Sequence, residues 1–440
     1  MKNKLYLLLS TLIIFIIIFF SLFYFNNKII SFFPQNAKLA LEVYKIDKNF
    51  WKLRGHSYSI NSLKNDYNVK FLPETQFLKV KYIKKNILID ENFKKKSNNQ
   101  EQSSSIYKKF DGLNYIDLFS SDTMIINDNN GKIYSWKIDI NEILNEKKLI
   151  FNSIPTNRKD AKILDLLVND DEIFISYIFE NKDCKYLNIS NALMNLEKLE
   201  FDKFFISKDC STKSVYGGRI QPFNFKGKEG ILFTTSEVDI NNPNMNSQDE
   251  NSSFGKILFF DKITKNNIIF SKGHRNPHGL FVDEENDVIL STEHGPRGGD
   301  EINKIEFNKN YGWPLASYGE RYTRNEVNPD LKYKKNHLDN NFIEPIYSFV
   351  PSIGISEIIK IPNSFSQKWQ NNYFVTSLND KSLYRVNFSK DFSKLIYLER
   401  IYVGNRIRDI KYDYENEIFI LSLQDSNQIG FLFNDERTKN

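Results

Sequence analysis

The sequence predicts an all-β fold, a six-bladed β-propeller preceded by one N-terminal transmembrane helix. The first observation is a repeat. A strand-like apolar segment, a polar turn and a second strand-like segment recur six times after residue 105, as expected for propeller blades. The second is that no helical period competes with this pattern. The third is length, since about 400 of the 440 residues follow the first apolar run, enough for two average domains or one large propeller.

An apolar run at the N-terminus predicts the transmembrane helix. It extends from Leu5 to Phe25, is interrupted only by three hydroxyl residues and follows two lysines. About 20 apolar residues are enough for a helix to cross a bilayer. A cleaved signal peptide is the alternative, but Phe23–Lys28 offers no Ala-x-Ala cleavage pattern. We therefore expect residues 1–28 to form an uncleaved signal anchor, with the rest of the chain on the periplasmic or extracellular side.

Residues 29–105 are expected to supply the first strands and a polar loop that leads into the propeller at 106–434. The segment Phe77–Ile83 is rich in β-branched and aromatic residues and predicts a strand. The segment Asn92–Ser105 is polar and lacks apolar periodicity, so it predicts an exposed loop.

The second strand of each repeat gives the clearest signal, because it is short, apolar and usually preceded by a polar turn. The six second strands are Thr123–Ile126, Glu172–Ser176, Gly230–Thr234, Val288–Ser291, Tyr373–Thr376 and Glu417–Leu421. Several are followed by a third strand, as at Lys132–Trp136, Lys256–Phe260 and Ser382–Val386. Each repeat is then a small antiparallel sheet, which is how a propeller blade is built.

The charge pattern argues against nucleic-acid binding. Lysine and arginine (60 residues) slightly exceed aspartate and glutamate (55), and the net charge of +5 is spread through segments of mixed sign. A nucleic-acid-binding protein would show a basic face or a recognisable motif. The sequence has neither, so solvated surface accounts for the lysines.

The only two cysteines, Cys184 and Cys210, fall in the part of the chain expected to be exported. Oxidising compartments allow disulfides to persist, and a bridge closing this loop would stabilise the fold by roughly 3 kcal/mol. Two separate buried thiols are the alternative.

The stretch Gly273–Pro314 is the most informative part of the chain. Two apolar runs within it flank the acidic turn Asp283–Asp287 and predict a hairpin. Each strand adjoins a polar segment rich in glycine and proline, so charged side chains and backbone carbonyls collect where a cation and an anionic ligand can be held. The alternative is that these residues only form turns and that Arg275 pairs with Glu293 or Asp300.

The residues that precede the innermost strand of each blade should converge around the central axis of a propeller. Among them, Arg406 and Arg408 alternate around Ile407, so a strand directs both guanidinium groups to one face. Two like charges on one face require an anion between them or a carboxylate for each. Arg275 should lie at the same level, which favours an anion site. Neutralisation by Asp409 or another acid is the alternative.

The central stretch also resembles the corresponding segment of the PQQ-dependent soluble glucose and aldose sugar dehydrogenases, the glucose/sorbosone dehydrogenase family. The matching segments are Gly273–Pro277, Glu293–Asn303 and Lys309–Pro314, and weaker similarity runs from about Asp160 to the C-terminus. The resemblance implies a propeller that binds pyrroloquinoline quinone (PQQ) and calcium.

The resemblance also implies residue roles. Four positions match residues that contact PQQ in the family, and they are Arg275, Asn276, Arg406 and Arg408. The backbone carbonyls matching Gly295 and Pro296 help to ligate the calcium ion that also binds the cofactor, and carbonyl oxygens are suitable ligands for calcium. Some members hold a second calcium ion near the positions of Glu301 and Tyr311.

Two positions depart from the family pattern. The family's general base is a histidine four residues before the arginine of a Gly-Gly-Arg segment, and here that position is Val215. Valine cannot accept a proton, and the loss of a positioned base costs about 10²–10⁴-fold in rate. Tyr216 is a weak substitute. The family's cofactor-contacting lysine is matched by Asn379, two residues before Lys381.

Two functions follow. The first is an exported, membrane-anchored, PQQ-dependent aldose sugar dehydrogenase-like protein, which oxidises a sugar or related alcohol by hydride transfer to PQQ and passes electrons to an unidentified acceptor. The second is a catalytically inactive propeller that acts as a ligand-binding or surface-interaction protein. The retained arginines favour ligand binding, whereas Val215 argues against efficient turnover.

Overall fold

The computed structural model describes residues 78, 80–86, 115–128, 131–138, 147–152, 162–182, 184–213, 215–237, 245–320, 333–424 and 428–435. The predicted signal anchor at 1–28 and the predicted polar loop at 92–105 lie outside these ranges. Among the described residues, no helix has the length and apolar character needed to cross a membrane.

The described residues form strands and two short 3-10 turns, Leu338–Asn340 and Gln367–Trp369. In the first half the strands are β1 (Val80–Asn86), β2 (Ile116–Ser120), β3 (Thr123–Asn127), β4 (Ile133–Lys137), β5 (Lys147–Asn152), β6 (Lys162–Asn169), β7 (Glu172–Asn181), β8 (Cys184–Leu193), β9 (Lys198–Leu199), β10 (Asp202–Ile206), β11 (Gly217–Phe225), β12 (Lys228–Thr235) and β13 (Lys256–Asp261). In the second half they are β14 (Asn267–Lys272), β15 (Pro277–Asp283), β16 (Val288–Glu293), β17 (Asp300–Ile305), β18 (Lys309–Asn310), β19 (Tyr347–Phe349), β20 (Ile355–Lys360), β21 (Asn372–Ser377), β22 (Ser382–Phe388), β23 (Leu395–Tyr402), β24 (Ile407–Asp413), β25 (Ile418–Leu423) and β26 (Gln428–Asn434).

These strands form six sheets, one for each blade, which confirms the predicted six-bladed propeller. The strand orders from the innermost strand outward are β2-β3-β4-β5-β9, β6-β7-β8-β10, β11-β12-β13-β14-β18, β15-β16-β17-β19, β20-β21-β22-β23 and β24-β25-β26-β1. Pairing is antiparallel apart from β5 with β9 and β14 with β18. The six predicted second strands are β3, β7, β12, β16, β21 and β25.

The second strands are buried because neighbouring blades cover both of their faces. All described residues of β21 and β25 are buried, for example. Side chains from adjacent blades meet in shared apolar clusters, one of which joins Leu164 and Phe174 of the second blade to Phe233 and Phe260 of the third. The core is therefore distributed between blades, and it leaves the axis to polar residues.

The last blade combines strands from distant parts of the chain. β1 pairs antiparallel with β26, with Val80 opposite Asn434 and Asn86 opposite Gln428. The strand predicted at Phe77–Ile83 therefore begins three residues later in the structure, and it completes the final blade instead of starting the first.

The two cysteines form a disulfide, as predicted, and the alternative of two free thiols is wrong. Cys184 begins β8, and Cys210 lies 26 residues later with a Cα–Cα distance of 5.6 Å. The neighbouring residues Lys185 and Ser211 also pair through their backbones. The bridge thus anchors the segment that leads from the second blade to the third.

Candidate functional site

The innermost strands of the blades are aligned by a buried ionic cluster on the axis, which we call the axial ring. Arg219 of β11 contacts Asp165 of β6 at 2.9 Å, Glu357 of β20 at 2.7 Å and Asp409 of β24 at 3.0 Å. Its Nε also donates to the carbonyl of His278 in β15 at 2.7 Å. Each partner lies near the start of an innermost strand, so these strands all begin at the same end of the axis.

The axial ring also satisfies backbone groups of neighbouring blades. Asp165 accepts a hydrogen bond from the backbone N–H of Ile220 at 2.9 Å, and Asp409 accepts one from Ile116 at 2.9 Å. Burial raises the pKa of Asp165 to about 6, although Arg219 opposes the shift. Because the ring joins all six blades through side-chain and backbone contacts, we assign it a structural role.

In five of the six blades, the residue three positions before the axial contact lies at the entrance to the innermost strand, and we call this set of residues the mouth. These residues are Lys162, Tyr216, Arg275, Gly354 and Arg406. Three of them are cationic and come from three different blades. The mouth therefore places positive charges at the entrances to the innermost strands.

Arg406 and Arg408 direct their guanidinium groups to the same face, as their alternation predicts. Both contact Oε1 of Gln424, at 3.3 Å for Arg406 and 3.1 Å for Arg408, while Ile407 between them is buried. Asp409 forms its salt bridge with Arg219, and its charge also acts on the pKa of Arg408, so neutralisation by Asp409 or another acid stays an alternative. The Gln424 oxygen is a neutral acceptor, and an anionic ligand would form a stronger, charge-assisted bond with the guanidinium of Arg408.

Two histidines that the sequence did not single out line the same region. The rings of His278 and His294 lie 4.5 Å apart, and Arg408 Nη1 lies 3.3 Å from Nδ1 of His278. Burial and the nearby cations lower the pKa of His278 well below its usual range, and burial lowers the pKa of His294 to about 4. Both imidazoles are therefore neutral near pH 7 and can exchange hydrogen bonds with a ligand.

Arg275 and Asn276 lie beside these histidines. Arg275 Nη1 donates to the carbonyl of His294 at 2.7 Å, and its guanidinium lies 5.2 Å from the ring centroid of Trp313. Oδ1 of Asn276 and Nε2 of His294 are buried without a hydrogen-bond partner. Buried polar atoms usually find a partner, so these two atoms fit a polar ligand at this site.

Gly295 and Pro296 lie in the loop between β16 and β17. A Cβ on Gly295 would lie 2.0 Å from the carbonyl oxygen of Gly299, so only glycine fits. The backbone N–H of Gly295 donates to Asp300 Oδ1 at 3.0 Å, and Ser352 donates to the Pro296 carbonyl at 3.3 Å. Aspartate and serine thus hold the loop that carries both predicted calcium-ligating carbonyls.

A small cavity lies against this loop. Its lining includes acidic, aromatic and backbone groups from Arg275, Glu293, His294, Gly295, Pro296, Glu301, Tyr311 and Trp313. Burial and the neighbouring Glu293 raise the pKa of Glu301 well above its usual range. In the part of the chain that the structure describes, no three His, Cys, Asp or Glu side chains converge as a metal centre. A calcium ion here would rely on backbone carbonyls as well as carboxylates, a donor set that suits this hard cation.

Val215 and Tyr216 occupy different environments although they are adjacent. Val215 is fully buried in the apolar cluster that also contains Leu164 and Phe233. Tyr216 is half-buried, and the amine of Lys162 lies 4.8 Å from its ring centroid. The position of the family's base therefore belongs to the core, and the side chains near the mouth are Tyr216 and Lys162.

Asn379, which matches the family's cofactor-contacting lysine, lies close to the mouth. Its Cβ is 2.9 Å from where a Cβ on Gly354 would stand. The preceding carbonyl, of Leu378, accepts from Arg406 Nη1 at 3.3 Å. Asparagine at this place supplies no positive charge.

Comparison with known proteins supports this description. The sequence profile of the family described as "Glucose / Sorbosone dehydrogenase" matches residues 115–430. Aldose sugar dehydrogenase YliI from Escherichia coli (strain K12) is 28% identical over 234 residues, which cover 50% of this chain and 60% of that protein. Quinoprotein glucose dehydrogenase B from Acinetobacter calcoaceticus is 28% identical over 171 residues, or 36% of this chain and 33% of that protein. The chain thus matches less than two thirds of the length of either relative.

Solved structures show the same fold. The soluble aldose sugar dehydrogenase from Escherichia coli in the apo-form superposes with a TM-score of 0.61 at 23% identity, covering 74% of this chain and 96% of that structure. The PQQ-bound aldose sugar dehydrogenase from Streptomyces coelicolor gives a TM-score of 0.56 at 15% identity, covering 81% and 99%. Because the family profile matches residues 115–430, well over half of the chain, the protein belongs to the glucose/sorbosone dehydrogenase family.

Proposed function

We propose that this protein is an exported, membrane-anchored, PQQ-dependent aldose sugar dehydrogenase-like enzyme, which oxidises a sugar or related alcohol. The observation that carries the proposal is the convergence of Arg406 and Arg408 on one neutral oxygen of Gln424. Guanidinium groups bind carboxylates in a two-point geometry, and PQQ carries three carboxylates. The names of two relatives, an aldose sugar dehydrogenase and a quinoprotein glucose dehydrogenase, support the same reading.

The residues at the mouth fit the proposed cofactor. Arg406, Arg408 and Arg275 would hold its carboxylates, and the unpartnered Oδ1 of Asn276 would orient it. When bound, PQQ supplies a quinone that accepts hydride from the substrate. The protein's own task is then to position the sugar, to keep the neutral histidines as hydrogen-bond partners and to accept the hydroxyl proton.

Calcium is the second proposed cofactor. The Gly295 and Pro296 carbonyls would ligate it beside the cofactor, and Asp300 holds the Gly295 N–H so that the loop keeps its shape. The adjacent cavity, with Glu293 and Glu301, would take a second cation. Carboxylates and carbonyls at 2.3–2.6 Å are the usual ligands of calcium.

The proposed location rests on two features. The apolar run of residues 1–28 suits a signal anchor. The disulfide between Cys184 and Cys210 supports export, because such bonds persist in oxidising compartments. The membrane, a sugar and an electron acceptor are therefore the proposed partners.

A ligand-binding propeller without turnover is the second candidate. Val215, fully buried in the core, favours it, because the position of the family's base offers no proton acceptor. Such a protein would bind PQQ or a related polycarboxylate but would not oxidise sugars.

One titration tests the proposal. Full-length protein in detergent, with calcium, is titrated with PQQ and compared with Arg408→Ala. Each lost charge-assisted bond costs on the order of 1.5–3 kcal/mol, so the affinity should fall by roughly ten- to a hundred-fold. Arg400→Ala is the matched control, because Arg400 lies on the outer strand β23 and pairs with Asp380. This variant should bind PQQ with native affinity.

Dye-linked oxidation of a panel of aldoses by the same preparations then separates the two candidates. Turnover supports the dehydrogenase, and PQQ binding without turnover supports the ligand-binding protein. Native affinity in a folded Arg408→Ala variant would show that the two arginines do not form the cofactor site.

A further inference from the structure

Lys162 is a member of the mouth for which the family pattern gives no role. It is the first residue of β6 and precedes Asp165 of the axial ring by three positions, as Arg275 precedes His278 and Arg406 precedes Asp409. Its spacing from the axial contact therefore matches that of Arg275 and Arg406, which are proposed to hold the cofactor. It comes from the blade next to the one that carries Val215.

The surroundings of Lys162 contain neutral and positive groups. Its Nζ lies 4.8 Å from the ring centroid of Tyr216, and Arg408 and Lys185 are close enough to repel its charge. His278 also senses the charge of Lys162. Among the described residues, no carboxylate lies within salt-bridge distance of this amine.

This environment destabilises the charged form of the amine. Lys162 is solvent-exposed at the surface of the mouth, yet the protein surrounds it closely enough for desolvation to act. Desolvation, Arg408 and Lys185 together lower the pKa of Lys162 to about 8. Nearby cations and partial desolvation are the means by which proteins convert a lysine into a base or nucleophile.

We propose that Lys162 is the proton acceptor of this site and takes the role that Val215 cannot fill. The inference rests on the proposed function. In the step, the substrate's hydroxyl O–H bond breaks and its proton forms a bond with the lone pair of Nζ. The oxygen electrons form the carbonyl as the adjacent C–H bond breaks. A bound quinone would supply the hydride acceptor, so the two electrons lost by the sugar carbon would reduce the quinone.

Tyr216 positions the amine in this arrangement. Its ring face attracts the protonated amine without presenting a negative charge. A carboxylate at the same place would hold the lysine protonated and prevent it from accepting a proton. The aromatic contact therefore keeps the amine near the mouth and leaves its basicity low.

The test compares native protein with Lys162→Met and Lys162→Arg, each as the full-length protein with calcium. Turnover of an aldose should fall at least about a hundredfold in both variants, because neither side chain accepts a proton near pH 8. PQQ affinity should stay within about threefold of native. Lys265→Met is the matched control, since Lys265 also contacts a ring, that of Phe204 at 5.4 Å, but lies on the turn before β14.

The pH dependence gives a second readout. Only the neutral amine accepts a proton, so native turnover should fall as pH drops below about 8, and this limb should be missing from the residual activity of Lys162→Met. In the protein without PQQ, acylation of Lys162 followed by mass spectrometry should reach half its maximal rate near pH 8.

The outcomes separate the inference from the proposed function. Full turnover in Lys162→Met or Lys162→Arg, with native protein active, overturns the role of Lys162 and leaves the dehydrogenase intact. A loss of PQQ affinity in Lys162→Met that Lys162→Arg restores also overturns it and identifies an anion contact. An acylation midpoint of Lys162 near the usual lysine pKa of about 10.4 overturns it without any cofactor. Native protein that binds no PQQ and oxidises no sugar removes both proposals.

Discussion

Val215 shows that a position matched by sequence need not face the site. The resemblance assigns the family's catalytic histidine to this place, but here the valine side chain packs with Leu164 and Phe233 and is fully buried. The following residue, Tyr216, is the one that reaches the mouth. A residue introduced as a base in this chain must therefore have a side chain that points to the mouth as well as a group that accepts a proton.

Replacing Val215 by histidine should destabilise the protein without raising sugar oxidation. A buried imidazole without a hydrogen-bond partner costs about 1–3 kcal/mol. Because burial depresses its pKa below the usual value near 6.5, the folded state binds fewer protons than the unfolded state. The loss should therefore grow as pH falls from 7 to 5, as measured by urea unfolding.

Tyr216→His is the matched control for that measurement. It places the same imidazole one residue later, at a half-buried position, and should lose less stability at pH 5. Native stability in Val215→His, or a gain in turnover, would show that this side chain reaches the mouth after all.

Sequence reasoning found some of the candidate residues and missed others for a physical reason. Strand alternation is local, so it predicts that Arg406 and Arg408 share a face. Contacts across the axis depend on the ring closing, and no local pattern reveals that Lys162 approaches Tyr216. One signal is present in the sequence. Lys162, Tyr216 and Arg406 each stand three residues before Asp165, Arg219 and Asp409, but this common spacing is recognised only when the members of the axial ring are known.

At the scale of elements, the last blade depends on a close fit between β1 and β26. Gly430 of β26 has no side chain, and a Cβ there would lie 2.4 Å from the hydroxyl of Tyr82 in β1. Tyr82 itself packs against the apolar cluster that contains Leu421 and Leu432. Glycine at this position lets the tyrosine ring lie flat across the strand and cover the blade.

Gly430→Ala should lower the free energy of unfolding by about 1–3 kcal/mol, because the added methyl overlaps the Tyr82 ring and forces β1 to shift. The same substitution in a Tyr82→Ala background should cost less than about 1 kcal/mol, since the obstacle is gone. Denaturant unfolding of the four proteins gives the coupling energy directly. Additive costs would mean that Gly430 and Tyr82 do not constrain each other.

The predictability of the elements follows from their burial. The second strands are covered on both faces, so their sequences are nearly continuous apolar runs. Their positions are therefore predicted correctly from the sequence. β1, with the sequence VKYIKKN, is an outer strand and carries exposed lysines. Because its C-terminal half is polar, the apolar pattern does not indicate where the strand ends. Its pairing with β26 is a contact between distant segments, which local patterning does not encode.

At the scale of the whole molecule, the axial ring is a tie between blades. Burial alone lowers the pKa of Arg219, but Asp409, Glu357 and Asp165 raise it well above its usual value. The guanidinium therefore stays charged at any pH the protein meets. Three carboxylates from separate blades form salt bridges with this one cation, which links the stability of each blade to that of the others.

Arg219→Met should destabilise the fold by about 3–5 kcal/mol near pH 8, because it leaves buried carboxylates without their cation. Without Arg219, the pKa of Asp165 rises above about 6. The folded variant then binds more protons than the unfolded chain, so its deficit should shrink as pH falls from 8 to 5. Urea unfolding at the two pH values measures both effects.

Arg385→Met provides the comparison, since Arg385 is also buried but pairs with Glu399 inside a single blade. Glu399 is partly exposed, so the stability lost in Arg385→Met should depend less on pH. An Arg219→Met deficit that is the same at pH 5 and pH 8 would contradict the role given to the axial carboxylates.

The pairing of β1 with β26 has a consequence for the order of events during synthesis. Residues 80–86 are made early, and their partners at 428–434 follow about 340 residues later. At 5–20 residues per second, the interval is roughly 20–70 s. Throughout that time β1 has no partner strand from the last blade. The ribosome must synthesise residues 428–434 before the propeller can close. The lysines of β1 suit this delay, because charged edge strands resist pairing with other nascent chains.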